Sequence, residues 1–436
     1  MLFRSGFVVT WDDYSHGVGG ATGDDSGFAL KAQVFAANGA KIGPELLVNT
    51  TTLDNQDHSQ ITALPNGGFA VVWHDDSSGG ATDRGPAVKA QVFNVDTPNI
   101  IGTGRGDLID ATHTVRGQPL PTEKADYISG RHGDDVIHSL GGNDVINGGA
   151  GADAMYGGAG DDRYYVDNPN DVVHEAPNEG TDKVFARVSY ALAAGSEVEY
   201  LIARTNDDIT LTGNELANHL TGGAGHDLLE GGAGNDVLVA GGGVTEMIGG
   251  AGDDLYIVNN SADKVTELPG GGTDSVETSV DYALAAGSEV ETLRAHESGA
   301  AGLHLVGNEL ANRITGGAGN DIIDGGGGAD ILIGGGGNDR FVFTNLSDME
   351  AASAPYDRIL DFSAGDRIDL TGLEADAGFA FSFIGSTAFT GHAGDVRQFT
   401  AGGDTFVAGD LNGDNRPDFA IVLIGAHTLH ASDFVL

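Results

Sequence analysis

The sequence predicts an all-β chain, most of it a parallel β-solenoid in three blocks, with antiparallel β-structure before it and a β domain after it. A nine-residue unit of the form G-G-x-G-x-D-x-U-x, in which U is a large apolar residue, runs four times through residues 130–166. Variants of the unit return at residues 213–258 and 307–343. An apolar residue follows each aspartate by two positions, a phase that a disordered Gly/Asp-rich linker has no reason to keep.

Each unit predicts a glycine turn followed by a short strand. The glycines allow positive φ and close approach of neighbouring backbones. The apolar residues at the eighth position, Ile137, Ile146, Met155 and Tyr164, are expected to line a narrow core. If successive strands alternate between two faces, two units make one coil, and residues 18 apart in sequence stack on the same face.

The sixth position of each unit in residues 130–166 is an aspartate, and the coil geometry pairs these aspartates. Asp135 meets Asp153, and Asp144 meets Asp162. Carboxylates stacked at about the spacing of adjacent strands, roughly 5 Å, repel unless a cation lies between them. Calcium, which takes about 6–8 oxygen ligands, suits carboxylates and turn carbonyls better than magnesium does. The chain has no cysteine and no recurring histidine ligand, which disfavours zinc.

The later blocks repeat this pattern with defects. Asp236 and Asp254 form a complete pair, whereas Asp227 faces Thr245, so the Asp227 site is expected to be weaker or empty. In the third block Asp321 pairs with Asp339, and Asn312 assists Asp330. The predicted calcium ligands are Asp135, Asp144, Asp153, Asp162, Asp227, Asp236, Asp254, Asp321, Asp330 and Asp339, with Asp126, Asn218, Asn312, Asp410, Asn412, Asp414 and Asp418 as further candidates.

Repeats and composition shifts divide the chain into segments. The stretch GFVVTWDD returns about 60 residues later as GFAVVWHD, which predicts antiparallel β repeats with a turn at residues 65–68. The spacers share SYALAAGSEVEYL and DYALAAGSEVETL, which fit continued β coils, with Glu199 and Glu291 expected to be solvated. The segments are 1–97 (partial β repeats), 98–166 (first roll with an irregular lead-in), 167–212 (spacer), 213–258 (second roll), 259–306 (spacer), 307–343 (third roll) and 344–436 (C-terminal domain).

The charge of the chain limits its partners. Acidic residues number 64 against 21 basic ones, a formal net charge of −43, which disfavours binding to nucleic acid or to anionic membranes. The sequence contains no run of about 18 apolar residues, so it predicts no membrane span. The first residues lack the pattern of a Sec signal and begin within a strand-like stretch, which leads us to expect an incomplete N-terminus. Because the chain has no cysteine, an extracellular form must be stabilised by something other than disulfide bonds, and calcium is the evident candidate.

The nine-residue units resemble the calcium-binding repeats of RTX (hemolysin-type) proteins. Residues 344–436 resemble the C-terminal domain of serralysin-type secreted metalloproteases, through Asp361-Phe362, the GDRIDL stretch at 365–370 and Asp418-Phe419. The final Asp433-Phe434-Val435-Leu436 is similar to the ending read by type I secretion systems. These resemblances imply a secreted protein that stays unfolded at low cytosolic calcium and folds in extracellular calcium. They also imply the type I secretion machinery as a partner.

The DLNGDNRPD stretch near the C-terminus allows two interpretations. Asp410, Asn412, Asp414 and Asp418 place oxygen side chains as in the start of an EF-hand-like loop. The stretch lacks both the central glycine and the bidentate glutamate of that loop, however. An Asp/Asn/Gly-rich hairpin turn fits equally well.

The sequence predicts no catalytic site. The serralysin H-E-x-x-H motif is absent, since His174-Glu175 is followed by Ala176-Pro177. The leading interpretation is therefore a structural or binding role, in which the rolls fold on calcium. Two alternatives remain open at this stage. The chain belongs to a larger secreted hydrolase, lyase or epimerase with its catalytic domain elsewhere, or it is a calcium-dependent adhesin or surface-layer component. The sequence names no ligand or glycan.

Overall fold

The computed structural model describes residues 99–296, 301–344 and 356–436, and before residue 99 it describes only the strands. The chain forms two compact units, Met1–Tyr164 and Tyr165–Leu436. Described secondary structure is β apart from one α-helix, Thr371–Ala377, and one 3-10 helix, Ala431–Asp433. The predicted all-β class and the predicted parallel solenoid are both confirmed.

The first unit begins with two antiparallel sheets, as the internal repeat predicts. In both sheets the recurring tryptophan pairs with a lysine of the next strand, Trp11 with Lys31 and Trp73 with Lys89. The predicted turn at residues 65–68 lies outside the described residues. The strands of one sheet are Leu2–Phe3, Gly6–Asp13, Ala29–Ala36 and Lys41–Leu47, and those of the other are Gln56–Ala63, Phe69–Asp75 and Ala87–Phe93.

The rest of the first unit is parallel solenoid. Ile128 pairs with Ile146 on one face and Ile137 with Met155 on the other, so both faces advance by 18 residues per coil as predicted. One face contains Asn99–Ile101, Tyr127–His132 and Val145–Ala150, and the other contains Leu108–Ile109, Val136–His138 and Ala154–Tyr156. Strand Arg163–Val166 includes the boundary between the units.

The solenoid core is one apolar residue thick on each face. Ile137, Ile146, Met155 and Tyr164, the residues predicted to point inward, are all fully buried. Burial of each such side chain contributes about 1.5–3 kcal/mol. Because the core takes so few side chains per coil, the fold depends heavily on the backbone and the polar turns.

The second unit has the same architecture within itself, and the two spacers are coils of its solenoid. Val184 of the first spacer pairs in parallel with Leu201, and Leu201 pairs with Leu220 of the second roll. One face contains Lys183–Ala186, Tyr200–Ala203, His219–Thr221, Val237–Val239, Leu255–Val258, Ser275–Thr278, Thr292–Ala295, Arg313–Thr315, Ile331–Ile333 and Arg358–Ile359.

The opposite face of the second unit consists of two sheets. The first contains Tyr190–Ala191, Thr210–Thr212, Asp227–Ala233, Thr245–Ala251 and Lys264–Thr266. The second contains Tyr282–Ala283, His304–Val306, Ile322–Asp324, Arg340–Val342, Arg367–Asp369 and Phe434–Val435. The short strand Val172–His174 precedes them in sequence.

The C-terminal segment closes both faces. Phe419–Leu423 pairs in parallel with Arg358–Ile359, the strand that follows the third roll on one face, and Phe434–Val435 pairs with Arg367–Asp369 on the other. An antiparallel sheet forms from Asp395–Ala401, Asp404–Asp410 and Phe419–Leu423, with Ser382–Phe383 along its edge. Within the described residues, no helix has the length and hydropathy needed to cross a bilayer.

One turn position shows why the unit requires glycine. Gly149 has φ +91, and a Cβ on it would collide with the backbone carbonyl of Arg131 in the preceding coil. Arg131 pairs with Gly149 in the sheet and has φ +79, so it holds a left-handed conformation that costs a side-chain-bearing residue about 1–2 kcal/mol.

This pair gives a matched test of backbone strain. We expect Gly149→Ala to lower the free energy of unfolding by about 2 kcal/mol or more, because both the conformation and the contact are unfavourable. Arg131→Gly relieves the strain and should raise that free energy by up to about 1 kcal/mol. Urea unfolding in calcium-containing buffer measures both, and a destabilising Arg131→Gly would contradict the explanation.

Candidate metal centre

A ladder of hydrogen bonds connects the aspartates from coil to coil. The backbone N–H of Asp135 donates to Oδ1 of Asp153 at 2.8 Å. In the second roll the N–H of Asn218 donates to Asp236 and that of Asp236 to Asp254, both at 2.7 Å. The same bond joins Asp126 to Asp144, Asp144 to Asp162, Asn312 to Asp330 and Asp321 to Asp339. The 18-residue pairing predicted from the sequence is therefore present, with an amide donor between the two carboxylates.

The ladder uses one oxygen of each aspartate. In Asp135, Asp144, Asp236 and Asp254 the other oxygen, Oδ2, is buried and has no hydrogen-bond partner in the described part of the chain. These residues are only 1–2% exposed. Burying an ionised oxygen without a partner is costly. The four side chains therefore require a bound cation or a proton.

At two of these positions, Asp135 and Asp236, a carbonyl oxygen faces the carboxylate. Beside Asp135 lies Gly130, whose missing Cβ would meet both Oδ2 of Asp135 and the carbonyl oxygen of Gly148. Gly231 stands in the same relation to Asp236 and to the carbonyl oxygen of the glycine 18 residues further on. Oxygens from two coils thus converge on a space that glycine leaves open. A set of carboxylate and carbonyl oxygens fits calcium.

Burial changes the acidity of these groups. It raises the pKa of Asp135 and Asp236 to about 7, with the nearby charges of Asp153 and Asp254 adding to the effect. It raises the pKa of Asp144, Asp254 and Asp339 to about 6. The pKa of Asp126 is also raised by burial. Protons therefore compete with a cation for these carboxylate oxygens near neutral pH.

Other predicted ligands already have partners for both oxygens. Asp227 lies opposite Thr245, and its two oxygens accept the N–H groups of Ile209 at 3.1 Å and Gly223 at 2.6 Å. Asp321 likewise accepts two backbone N–H groups, from Leu303 and Gly317. Asp126 accepts the N–H of Thr122. This geometry supports the ranking of Asp227 below Asp236, which stays a prediction.

Asn218 and Asn312, which occupy aspartate positions of the repeat, form hydrogen bonds with backbone groups. Oδ1 of Asn218 accepts the N–H of Asn214 at 2.8 Å, and its Nδ2 donates to the carbonyl of Val198 at 2.8 Å. Asn312 makes the equivalent bonds to Asn308 and Val290. Each side-chain oxygen is thus engaged at the start of its roll. A role for either asparagine as a calcium ligand stays a prediction.

The C-terminal candidates form a tight turn between antiparallel strands. Oδ1 of Asp410 accepts the N–H of Gly413 at 2.7 Å, and its Oδ2 accepts that of Asn415 at 2.9 Å. Asp418 accepts the N–H of Leu411 and the side-chain amide of Asn412. Asp414 accepts the N–H of Arg416. These bonds match the hairpin-turn alternative, and calcium binding by this loop stays a prediction.

The ladder extends beyond the residues that sequence reasoning selected. Asp254 donates its N–H to Asp274, and Asp274 donates its N–H to Oε2 of Glu291. Oε2 of Glu199 accepts the N–H of Asp182 in the same way, so neither glutamate is the solvated charge that we expected. The further aspartates of the ladder are Asp107, Asp263, Asp274, Asp357 and Asp366. Each of them precedes a buried apolar residue by two positions, and this spacing is the sequence signal that could have identified them.

Comparison with protein families agrees with this geometry. The family model described as "Peptidase M10 serralysin C terminal" matches residues 122–436, which include the three rolls, both spacers and the C-terminal strands. The chain belongs to the serralysin C-terminal family. The RTX and serralysin resemblance inferred from the sequence is thereby confirmed. For this family member, the matched region contains every predicted calcium ligand.

Two further comparisons complete the relationships of this serralysin C-terminal family member. No curated protein matches its sequence. Among solved structures, the extracellular lipase LipA from Serratia marcescens is similar at 13% identity and a TM-score of 0.22. That match covers 85% of this chain and 80% of the lipase chain.

The raised pKa values predict an unusual pH dependence without metal. Groups with a folded-state pKa of about 6–7 and an ordinary value of 3.8 bind more protons in the folded state, so acidification stabilises the fold between about pH 4 and 7. We therefore expect the chain in EDTA to regain β signal as the pH is lowered from 8, and its melting temperature, where a transition is present, to rise towards pH 5. In millimolar calcium this rise should disappear, because protons then displace the cation. A melting temperature in EDTA that falls over the same range would contradict the assignment.

The hydrogen bonding of the second roll predicts unequal roles for two of its aspartates. Asp236→Ala removes an oxygen that has no protein partner, so we expect the midpoint of a calcium titration to rise at least about tenfold. Asp227→Ala removes only backbone hydrogen bonds, so it should lower stability with and without calcium while moving the midpoint little. Circular dichroism during the titration measures both variants. Equal midpoint shifts would show that the two carboxylates contribute alike.

Proposed function

We propose that this chain is a secreted calcium-binding protein whose β-rolls fold when calcium binds after export by a type I secretion system. The observation that carries the proposal is the set of buried aspartate oxygens, in Asp135, Asp144, Asp236 and Asp254, that have no hydrogen-bond partner in the described part of the chain. Those of Asp135 and Asp236 also face carbonyl oxygens of the next coil. The ligands are hard oxygens on flexible glycine turns, which favours calcium over magnesium or zinc.

The charge balance supports a fold that depends on metal. A net charge of −43 opposes compaction, and the aspartate ladder concentrates part of that charge inside the solenoid. Calcium bound only by the folded state adds its binding free energy to folding. Low calcium thus favours the unfolded chain, and high calcium favours the rolls.

Membership of the serralysin C-terminal family supports secretion. The matched family region extends to the last residue of the chain, and its final residues are similar to a type I secretion ending. In the folded chain these residues are ordered: Phe434 is buried, and Asp433 accepts the N–H of His430. We infer that the secretion machinery reads this segment before the rolls fold.

We infer a structural or binding role rather than a catalytic one. The sequence lacks H-E-x-x-H. The buried carboxylates are fixed by backbone amides, and as calcium ligands they would be ionised, which does not suit acid–base chemistry.

Removal of calcium tests the proposal directly. In EDTA at pH 8 we expect the far-ultraviolet circular dichroism of the full chain to lose its β signal, and millimolar calcium should restore it. Magnesium at the same concentration serves as the control and should restore little, because it dehydrates reluctantly and demands stricter geometry. An unchanged β signal in EDTA would refute calcium-dependent folding.

A further inference from the structure

The second roll ends in a cluster of three buried carboxylates. One oxygen from each of Asp254, Glu267 and Asp274 lies within 4.8 Å of the others. The three residues are only 1–2% exposed. Asp254 is the last aspartate of the roll, whereas Glu267 and Asp274 belong to the spacer that follows. Buried like charges at this separation repel strongly unless something neutralises them.

The hydrogen bonds of the cluster leave several oxygens without partners. The N–H of Asp254 donates to Oδ1 of Asp274 at 2.8 Å, which fixes the two side chains relative to each other. Oδ2 of Asp254 and both carboxylate oxygens of Glu267 are buried without a hydrogen-bond partner in the described structure. Burial, together with the adjacent carboxylates, raises the pKa of Glu267 to about 7. The nearby N–H groups of Gly250 and Leu268 offset only part of this rise. Within the described structure the carboxylate of Glu267 therefore has too little hydrogen bonding to offset its burial.

The free oxygens point to one place, beside Gly249. Oε1 of Glu267 lies 2.5 Å from the position that a Cβ on Gly249 would occupy, and Oδ2 of Asp254 and the hydroxyl oxygen of Tyr256 lie closer still. The Tyr256 hydroxyl also accepts the N–H of Gly249 at 2.7 Å. Oxygens from two adjacent coils thus surround a space that glycine keeps open.

A comparison with the interior of the roll shows what Glu267 replaces. At Gly231, one coil earlier, the corresponding space lies between Oδ2 of Asp236 and the carbonyl oxygen of Gly249, which is 18 residues after Gly231. Glu267 is 18 residues after Gly249. Where the roll supplies a neutral carbonyl from the next coil, the spacer therefore supplies a carboxylate.

We propose that Asp254, Glu267 and Asp274 together bind one calcium ion at the junction of the second roll and its spacer, in addition to the ions held inside the roll. The proposal rests on the proposed function, since Asp254 is also a roll aspartate. Three carboxylates provide more negative charge than a carboxylate with a carbonyl, and charge count is one of the factors that set calcium affinity. The ion joins a roll coil to a coil that lacks the glycine-rich unit.

The internal repeat of the sequence gives independent support. The first copy of this stretch has the same three residue types at the same spacing from one another, Asp162, Glu175 and Asp182. Around them other charged positions differ, since Lys264 of the second copy corresponds to Val172 of the first. The glutamate is therefore present in both copies of the stretch, whereas the charge of Lys264 is present in only one.

Counting bound ions on the full chain tests the proposal. Calcium bound per chain is measured by equilibrium dialysis with elemental analysis for the wild type, for Glu267→Gln and for Glu246→Gln. Glutamine keeps the shape of Glu267 and removes its charge. Glu246 is an exposed glutamate on the same strand as Gly249, so Glu246→Gln is the matched control. We expect Glu267→Gln to bind one ion fewer than the wild type, and Glu246→Gln to bind the same number.

The outcomes separate this site from the proposed function. Equal ion counts in the wild type and Glu267→Gln would overturn the junction site, and would favour a carboxyl that is simply buried in its neutral form. A wild type that binds no calcium would overturn the proposed function itself.

If Glu267→Gln does not fold in saturating calcium, a second variant decides. Terbium replaces calcium, and its emission is excited through nearby tyrosines. Tyr256→Phe removes the phenol beside the site while keeping all three carboxylates. We expect it to lower the sensitised emission at saturating terbium. Emission equal to that of the wild type would place no ion beside Tyr256 and overturn the proposal.

Discussion

The fold depends on how four of the ladder aspartates divide their two oxygens. In Asp135, Asp144, Asp236 and Asp254 one oxygen accepts a backbone N–H from the preceding coil, as Asp236 does from Asn218, and the other is buried without a hydrogen-bond partner in the described part of the chain. The first interaction sets the register of the coils. The second creates a need for positive charge that the protein itself does not meet at these positions. The stacking of the coils and the proposed cation binding therefore depend on the same side chain.

The narrow core explains why this division matters. Each coil buries few large side chains, such as Leu238 and Met247, so hydrophobic burial alone provides limited stability per residue. The many glycines that allow the tight turns also lose the most conformational freedom on folding. Because hydrophobic burial is limited, the entropic cost of folding is high and the chain is strongly negative, a bound cation can decide whether this fold is stable. The proposed calcium dependence would give the chain two states that extracellular and cytosolic calcium levels can distinguish.

The sequence predicted the regular part of the structure well, because a fixed period fixes geometry. The burial of Met155 and the stacking of Asp236 on Asp254 follow from the nine-residue unit alone. Asp274 was missed because it follows Asp254 by 20 residues, which breaks the 18-residue count. Glu267 was missed because a side-chain carboxylate stands where the repeat has a backbone carbonyl. The Asp410 loop stayed ambiguous because turns and calcium loops use the same residue types, and only the hydrogen-bond partners distinguish them.

The C-terminal strands have a consequence for the behaviour of the chain in solution. A parallel solenoid that simply stopped would present two open sheet edges, each a template for another molecule of the same sequence. Here Phe419–Leu423 covers the edge of one face and Phe434–Val435 covers that of the other. The same segment that carries the terminal residues thus ends the hydrogen-bonded stack. The two-residue strand Phe434–Val435 leaves only a very short edge on its face, which disfavours end-to-end growth there. Repeat proteins need such capping because every coil resembles the next.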